Sequence, residues 1–330
     1  MKGISNVKQF CGHPNGCSFA KFSTAGSSFI LIGSDDESSK LLSIDHEELK
    51  EACSFHDHRG YINHGDFSYD GKKFATCSND KTAIVYSLET GKAVSQITHH
   101  NFGVSWCTFS PDSAVLCTCS WDNSIALSCA ETGRFVGNLL GHRNPVTSAD
   151  FSISGQLATS SWDKMIRIWD ISKGVSCPMS GHIDVVWGVA YSPTNAHVLA
   201  SVSRDSTTSI WDTRMGGRVA TLSDGSVKMN CVTFSPNGEY LVSAGSRSNI
   251  TLRHPSNLGQ QLTHTSGHRG RINSVSFSPC SRFLATAGED GLVNIWDTTN
   301  PVKDDVDDLS NMLNYSDMMG KNAGSAAMGL

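Results

Sequence analysis

Histidine, a hydroxyl residue and aspartate recur together along this chain, the combination with which a serine hydrolase activates its nucleophile. One set is His142, Thr159 and Asp163, followed by Trp169. His182, Ser201 and Asp205 with Trp211, and His268, Thr286 and Asp290 with Trp296, repeat it at similar internal spacing. A triad enzyme needs one exposed hydroxyl, an imidazole to take its proton, a carboxylate to orient the imidazole, and an oxyanion hole. Several copies read differently. Carboxylate, imidazole, hydroxyl and indole have complementary donors and acceptors and can satisfy one another as a buried network. The sequence therefore favours a structural use of these sets, with hydrolysis by one of them, such as the His142 set, as the remote alternative.

The elements that must position these groups show as a repeat. An aromatic followed by serine occurs at Phe22, Phe67, Phe109, Phe151, Tyr191, Phe234 and Phe277, at intervals between 40 and 45 residues. Nine positions before each lies His13, His58, His100, His142, His182, Gly225 or His268. Each unit then closes on an Asp (Arg247 in unit six) and, six positions later, an aromatic or its replacement, most clearly in the stretch Ser161 to Asp170. Segments such as 156–160 and 165–169 are short, β-favouring and bounded by turn residues. Thr90-Gly91, Thr132-Gly133 and Lys173-Gly174 fall where a hairpin must reverse. A period of this length is the mark of a repeat architecture.

With seven copies in register, the sequence resembles the WD-repeat (WD40) family. The resemblance implies an all-β, seven-bladed β-propeller in which each blade is a four-stranded antiparallel sheet. It also implies that Ser5–Phe10 supplies the outer strand of the last blade and closes the ring, and that each complete set forms a hydrogen-bonded tetrad. Units four, five and seven are complete. Tyr86 and Ser128 replace the tryptophan in units two and three, and unit one has Ile32 and Leu42. Unit six keeps little, with Gly225, Ser243, Arg247 and Arg253; it is expected to be the least rigid blade, with positions freed for contact.

In this family the histidine loop and the aspartate turn open on one face. The residue before Asp, and those three and five after His, should point there. The large ones are Tyr61, Trp121, Trp162, Trp187, Arg204, Lys228, Arg271 and Glu289. Trp, Tyr and Arg dominate binding hot spots, so this face is expected to bind proteins or peptides. The main expectation is a non-catalytic protein-interaction scaffold. Trp211-Asp212-Thr213-Arg214 also looks like the box by which some propellers dock on the adaptor of cullin-type ubiquitin ligases. That resemblance makes Arg214 the adaptor contact, on the opposite face, and a ligase substrate receptor the alternative reading.

Composition narrows the classes. Net charge is −5, of which residues 300–330 carry −3, through Asp304, Asp305, Asp307, Asp308 and Asp317 against Lys303 and Lys321. No basic stripe suits nucleic acid, and no apolar run has the length of a membrane span or the form of a signal peptide. The 11 cysteines form no CxxC pair, which fits reduced thiols rather than a metal site or disulfide framework. The expectations are residues 1–300 as one propeller, monomeric by itself and cytoplasmic with nuclear or cytoskeletal association left open, and no cofactor or metal. Residues 301–330 form an acidic tail, read as disordered, although Val306, Leu309, Met312 and Leu313 fall at helical spacing.

Overall fold

Each aromatic–serine pair ends an inner strand. The seven aromatics are buried at the last positions of Cys17–Phe22, Ile62–Phe67, Val104–Phe109, Val146–Phe151, Val186–Tyr191, Met229–Phe234 and Ile272–Phe277. The serine that follows turns the chain. Ser68 Oγ accepts the Lys73 amide at 2.9 Å and gives its own proton to Asp70 at 2.6 Å. These positions belong to a computed structural model that describes residues 5–24, 29–45, 48–223, 227–255, 257–265 and 267–298. Gly225 and residues 301–330 lie outside the described residues.

From each inner strand the chain runs outward through three more antiparallel strands. Blade four, for example, is Val146–Phe151, Leu157–Ser161, Ile166–Asp170 and Val175–Met179. The hairpin after the third strand needs a left-handed residue. At Gly133 (φ 67°) a Cβ would also meet the Gln96 carbonyl at 2.9 Å, so glycine is required twice over. Seven four-stranded sheets result. The last is completed from the other end of the chain: Ser5–Cys11 pairs with Leu292–Asp297, with Phe10 opposite Val293 and Ser5 opposite Asp297. The expected seven-bladed propeller, closed by its N-terminal strand, is the observed architecture.

The core is divided among the seams. Seven apolar clusters are present among the described residues, each joining two successive blades. Phe19 and Leu31 of blade one meet Phe67, Phe74 and Tyr86 of blade two. Leu127 of blade three meets Phe151, Leu157 and Trp169 of blade four.

A second device crosses the seams. In all seven blades the register between the first and second strands slips at one residue, five after the histidine position: Ser18, Asn63, Ser105, Thr147, Trp187, Asn230 and Asn273. A bulge re-aims its side chain, and here five of them reach the next blade. Asn63 donates to the Val104 carbonyl at 2.7 Å, Ser105 to Val146 at 2.5 Å and Thr147 to Val186 at 2.6 Å. Asn230 donates to Ile272 at 3.2 Å and Asn273 to Cys17 at 2.9 Å. Trp187 instead sets its ring edge-to-face against Trp162, with centroids 6.0 Å apart. The seam between blades five and six thus relies on apolar contacts, among them Ala190, Ile210, Phe234 and Leu241.

These staples predict that Thr147→Val, which keeps the shape but strips the Val186 carbonyl and Ser160 hydroxyl of a partner, destabilises the protein by about 1–3 kcal/mol. Trp187→Phe, with no staple to lose, should shift the denaturant midpoint less.

Candidate protein interface

The upper face is built on the aspartate turns. In six blades the residue after the Asp is left-handed: Glu37, Lys81, Asn123, Lys164, Ser206 and Gly291, with φ between 68° and 78°. Such a turn is costly for a residue with a Cβ, and the aspartate offsets that cost. In blade four, Asp163 Oδ1 accepts the Met165 amide at 3.0 Å. Its Oδ2 accepts His142 Nδ1–H at 2.8 Å and the Arg143 amide at 3.1 Å. One carboxylate therefore closes its own turn and ties down the neighbouring loop.

The relay continues inward. A carboxylate only accepts, so Nδ1 carries the imidazole proton and Nε2 must accept. Thr159 gives its hydroxyl proton to His142 Nε2 at 2.8 Å while receiving Trp169 Nε1–H at 2.8 Å. The same chain runs through His182, Ser201, Asp205 and Trp211 at 2.7–2.8 Å, and through His268, Thr286, Asp290 and Trp296 at 2.8–3.1 Å. Thr159, Ser201 and Thr286 are wholly buried, so each hydroxyl is shut away from any substrate with its proton already given to an imidazole.

The incomplete blades show what each member contributes. His58 and His100 keep both partners, but Tyr86 sends its hydroxyl to Asp57 at 3.1 Å and Ser128 Oγ is buried without a partner. In blade one His13 holds Asp36 at 2.8 Å, and Ile32 leaves its Nε2 unsatisfied. Blade six replaces the indole with the buried guanidinium of Arg253, which donates to Ser243 at 3.2 Å.

In blades two to seven the turn is pinned to the histidine loop by one further bond, from the amide before the Asp position (Arg247 in blade six) to the carbonyl three after the histidine position. These join Asn79 to Tyr61, Trp121 to Gly103, Trp162 to Pro145, Arg204 to Val185, Ser246 to Lys228 and Glu289 to Arg271, at 2.8–3.0 Å. The structure thereby gathers Tyr61, Trp121, Trp162, Arg204, Lys228, Arg271 and Glu289 on this rim, all exposed, and Trp187 half-buried in its bulge. Tyr61 is 52% exposed, Trp121 46% and Trp162 42%. Phe102 (61%) and Ile183 (79%) extend the apolar arc. The sequence reading passed over both; the available signal was an apolar residue one place (Ile183) or two places (Phe102) after the histidine, where other blades carry Arg59, Arg143 or Arg269, and Gly60, Asn144 or Gly270.

Arg214 lies in the turn after the third strand of blade five, at the opposite end from the histidine loops. Its side chain is largely exposed, and its guanidinium grips Asp212 through Nη2 at 2.6 Å and Nε at 3.1 Å. The hydrogen bonds from Arg214 hold the Asp212 carboxyl down at about 2.

The innermost strands line a polar channel the sequence reading did not single out. Asp66 takes Lys21 Nζ at 3.2 Å, the Thr108 hydroxyl at 2.9 Å and the Phe109 amide at 3.2 Å, joining three blades. Asp150 accepts the Tyr191 amide at 2.7 Å, and burial pushes its carboxyl up to about 6. His64 stacks on Trp106 with centroids 3.4 Å apart, and burial pushes its imidazole down to about 3. All 11 cysteines are unpaired, and Cys17, Cys77, Cys107, Cys117, Cys119 and Cys231 are buried.

Comparison with known proteins agrees with this geometry. The family model described as "WD domain, G-beta repeat" matches residues 49–87, 91–127, 133–170, 175–212, 216–252 and 259–297. The chain belongs to the WD40 repeat family. The six matches take in the outer strand of blade one, blades two to six and the three chain-terminal strands of blade seven; the three inner strands of blade one, with neither tetrad hydroxyl nor indole, fall outside them. WD40 propellers generally bind proteins and are usually non-catalytic. The chain is 24% identical to Nuclear distribution protein nudF of Aspergillus niger over 70% of its own length and 47% of that protein's. It is 30% identical to the U3 small nucleolar RNA-associated protein 15 homolog of Xenopus tropicalis over 61% and 31%. It is 39% identical to Nuclear distribution protein PAC1 of Komagataella phaffii over 19% and 13%. The chain thus spans less than half of each of these relatives.

Protonation couples to this WD40 core with a definite sign. Burial pushes the His13, His100 and His182 imidazoles below their ordinary value. For Asp163 burial works upward, but the hydrogen bond and charge of His142 and the turn amides outweigh it and hold the carboxyl at about 2. Asp205 and Asp290 are lowered by the same balance. The unfolded chain then binds more protons, so stability falls with pH, first below the ordinary histidine value and again below the ordinary carboxylate value. Asp150 opposes this, since its raised carboxyl takes a proton in the folded state near pH 6. The denaturant midpoint should fall from pH 7.5 to 4.5, and more steeply in Asp150→Asn, as urea titrations at several pH values would show.

Proposed function

We propose that this chain is a non-catalytic protein-interaction scaffold whose upper face receives protein or peptide partners. The observation that carries the reading is the exposed arc of Tyr61, Phe102, Trp121 and Trp162 beside Arg204, Lys228 and Arg271. Large apolar side chains left at a rigid rim are a feature of binding sites, and the ladder beneath them removes loop entropy that a partner would otherwise have to overcome. Family membership supports the same use. The unpaired cysteines fit a reducing compartment such as the cytoplasm. In affinity purification, Trp162→Ala combined with Arg204→Ala should remove bound partners while leaving the protein folded. Retention of every partner would overturn the assignment.

A second reading, docking on a ubiquitin-ligase adaptor, is favoured by Arg214, which is exposed on the opposite face and pre-oriented by Asp212. It predicts capture of the adaptor by the wild type and at least tenfold less by Arg214→Ala in the same pull-down.

A further inference from the structure

We infer that the upper face of blades five to seven is a docking site for the acidic stretch of this chain's own tail, Asp304 to Leu313. The inference rests on the upper face being the interface, and it names the chemistry that face accepts.

The bases of this face are unspent. Arg204, Lys228, Arg247, Arg269 and Arg271 are exposed, and none enters an ion pair among the described residues. The ion pairs that Lys and Arg make among the described residues lie elsewhere: Lys21–Asp66, Lys40–Glu51, Lys73–Glu131, Lys173–Asp170, Arg214–Asp212 and Arg282–Asp297. Blade six goes further and reverses the charge of the motif. Arg247 stands where six blades place an aspartate, and the residue after it, Ser248, is not left-handed. On the blades flanking it, Asp205 and Asp290 have both oxygens occupied by histidine, hydroxyl and amide donors. Lys228 and Arg247 therefore form a cationic point between two carboxylates already engaged. Exposed Ile183 and the Trp162–Trp187 pair lie on the same face, on blades four and five.

The tail is its complement. Four aspartates fall within residues 304–308, with Val306 among them and Leu309, Met312 and Leu313 following. Isolated exposed ion pairs are weak and screened beyond about 8 Å at physiological ionic strength. The match therefore needs what both surfaces have, several charges at once with apolar side chains beside them. Length permits it. The described chain ends at Thr298, which is held against Arg282 at the lower end of blade seven. The ten residues from there to Asp308 reach at most about 35 Å, whereas a six-residue strand is only about 20 Å tall. The acidic run can pass the outer edge of blade seven and arrive beside Arg269 and Arg271, with Lys228 and Arg247 next.

A fluorescein-labelled peptide of residues 301–330 tests this by anisotropy. Residues 5–298 complete all seven sheets, so a chain ending at residue 300 is a fair receptor. It should bind the peptide, and raising the salt from 50 to 300 mM should weaken binding several-fold. The full chain, with its own tail competing, should bind at least tenfold more weakly. Lys228→Glu with Arg247→Glu should also lose at least tenfold while keeping the circular dichroism of the parent, and a peptide with the four aspartates changed to Asn should not bind. Failure of the peptide to bind at 1 mM, or binding indifferent to the double charge reversal, would overturn the inference. If partners are still lost in the Trp162/Arg204 double variant, the interface reading stands without it.

Discussion

An imidazole can be buried in this protein because both of its nitrogens are answered, and the way they are answered sets the position of everything on the upper face. The carboxylate on one side belongs to a tight turn and the hydroxyl on the other to the second strand. The ring between them therefore fixes the distance from loop to sheet. Remove the hydroxyl, as at Ile32, and the imidazole keeps the turn but loses its inner anchor. Replace the indole, as Ser128 does, and it is the substitute's own hydroxyl that is buried without a partner, while Thr118 keeps His100. Hydrogen bonds of this kind add little net stability in water-accessible sites but are expensive to leave half-made in a buried one.

Blade six shows the other solution. Where the relay is gone, a guanidinium fills the indole's place and donates to the serine that the indole would have met. A buried charge of this sort is tolerated only where its donors are well satisfied. The same blade carries a cation at the turn and lacks the left-handed residue. Loss of the motif there is thus a coordinated change of charge, with the upper rim altered and the sheet register kept.

Blade number was legible in the sequence because it rests on residue types recurring at fixed intervals, while ring closure by the N-terminal strand and the bonding within each tetrad followed from the family resemblance that those repeats carry. Phe151 with Ser152, or His142 with Asp163, can be recognised without coordinates. The bulges were not. Asn63, Ser105, Thr147, Asn230 and Asn273 look like ordinary polar positions of an inner strand, and only the slipped register turns them onto the next blade. Trp187 was legible as an aromatic on the rim, but its half-buried pairing with Trp162 depends on that same slip. The channel charges escaped for a related reason. Asp66, Asp150 and Lys21 stand as single charges in their inner strands, and what satisfies them comes from neighbouring blades.

The strand Ser5–Cys11 leaves the ribosome nearly three hundred residues before Leu292–Asp297, the strand it must join. At ordinary elongation rates that interval is roughly 15–60 s. Throughout it the ring is an open arc with two unmatched edges, the state in which β-proteins are most prone to pair with the wrong chain. Lys8, whose ammonium is buried without a partner once the ring is shut, is a charge on that waiting strand. Lysines on a strand edge are among the devices that discourage wrong pairing, and an unpaired ammonium in the closed ring is the cost of this one.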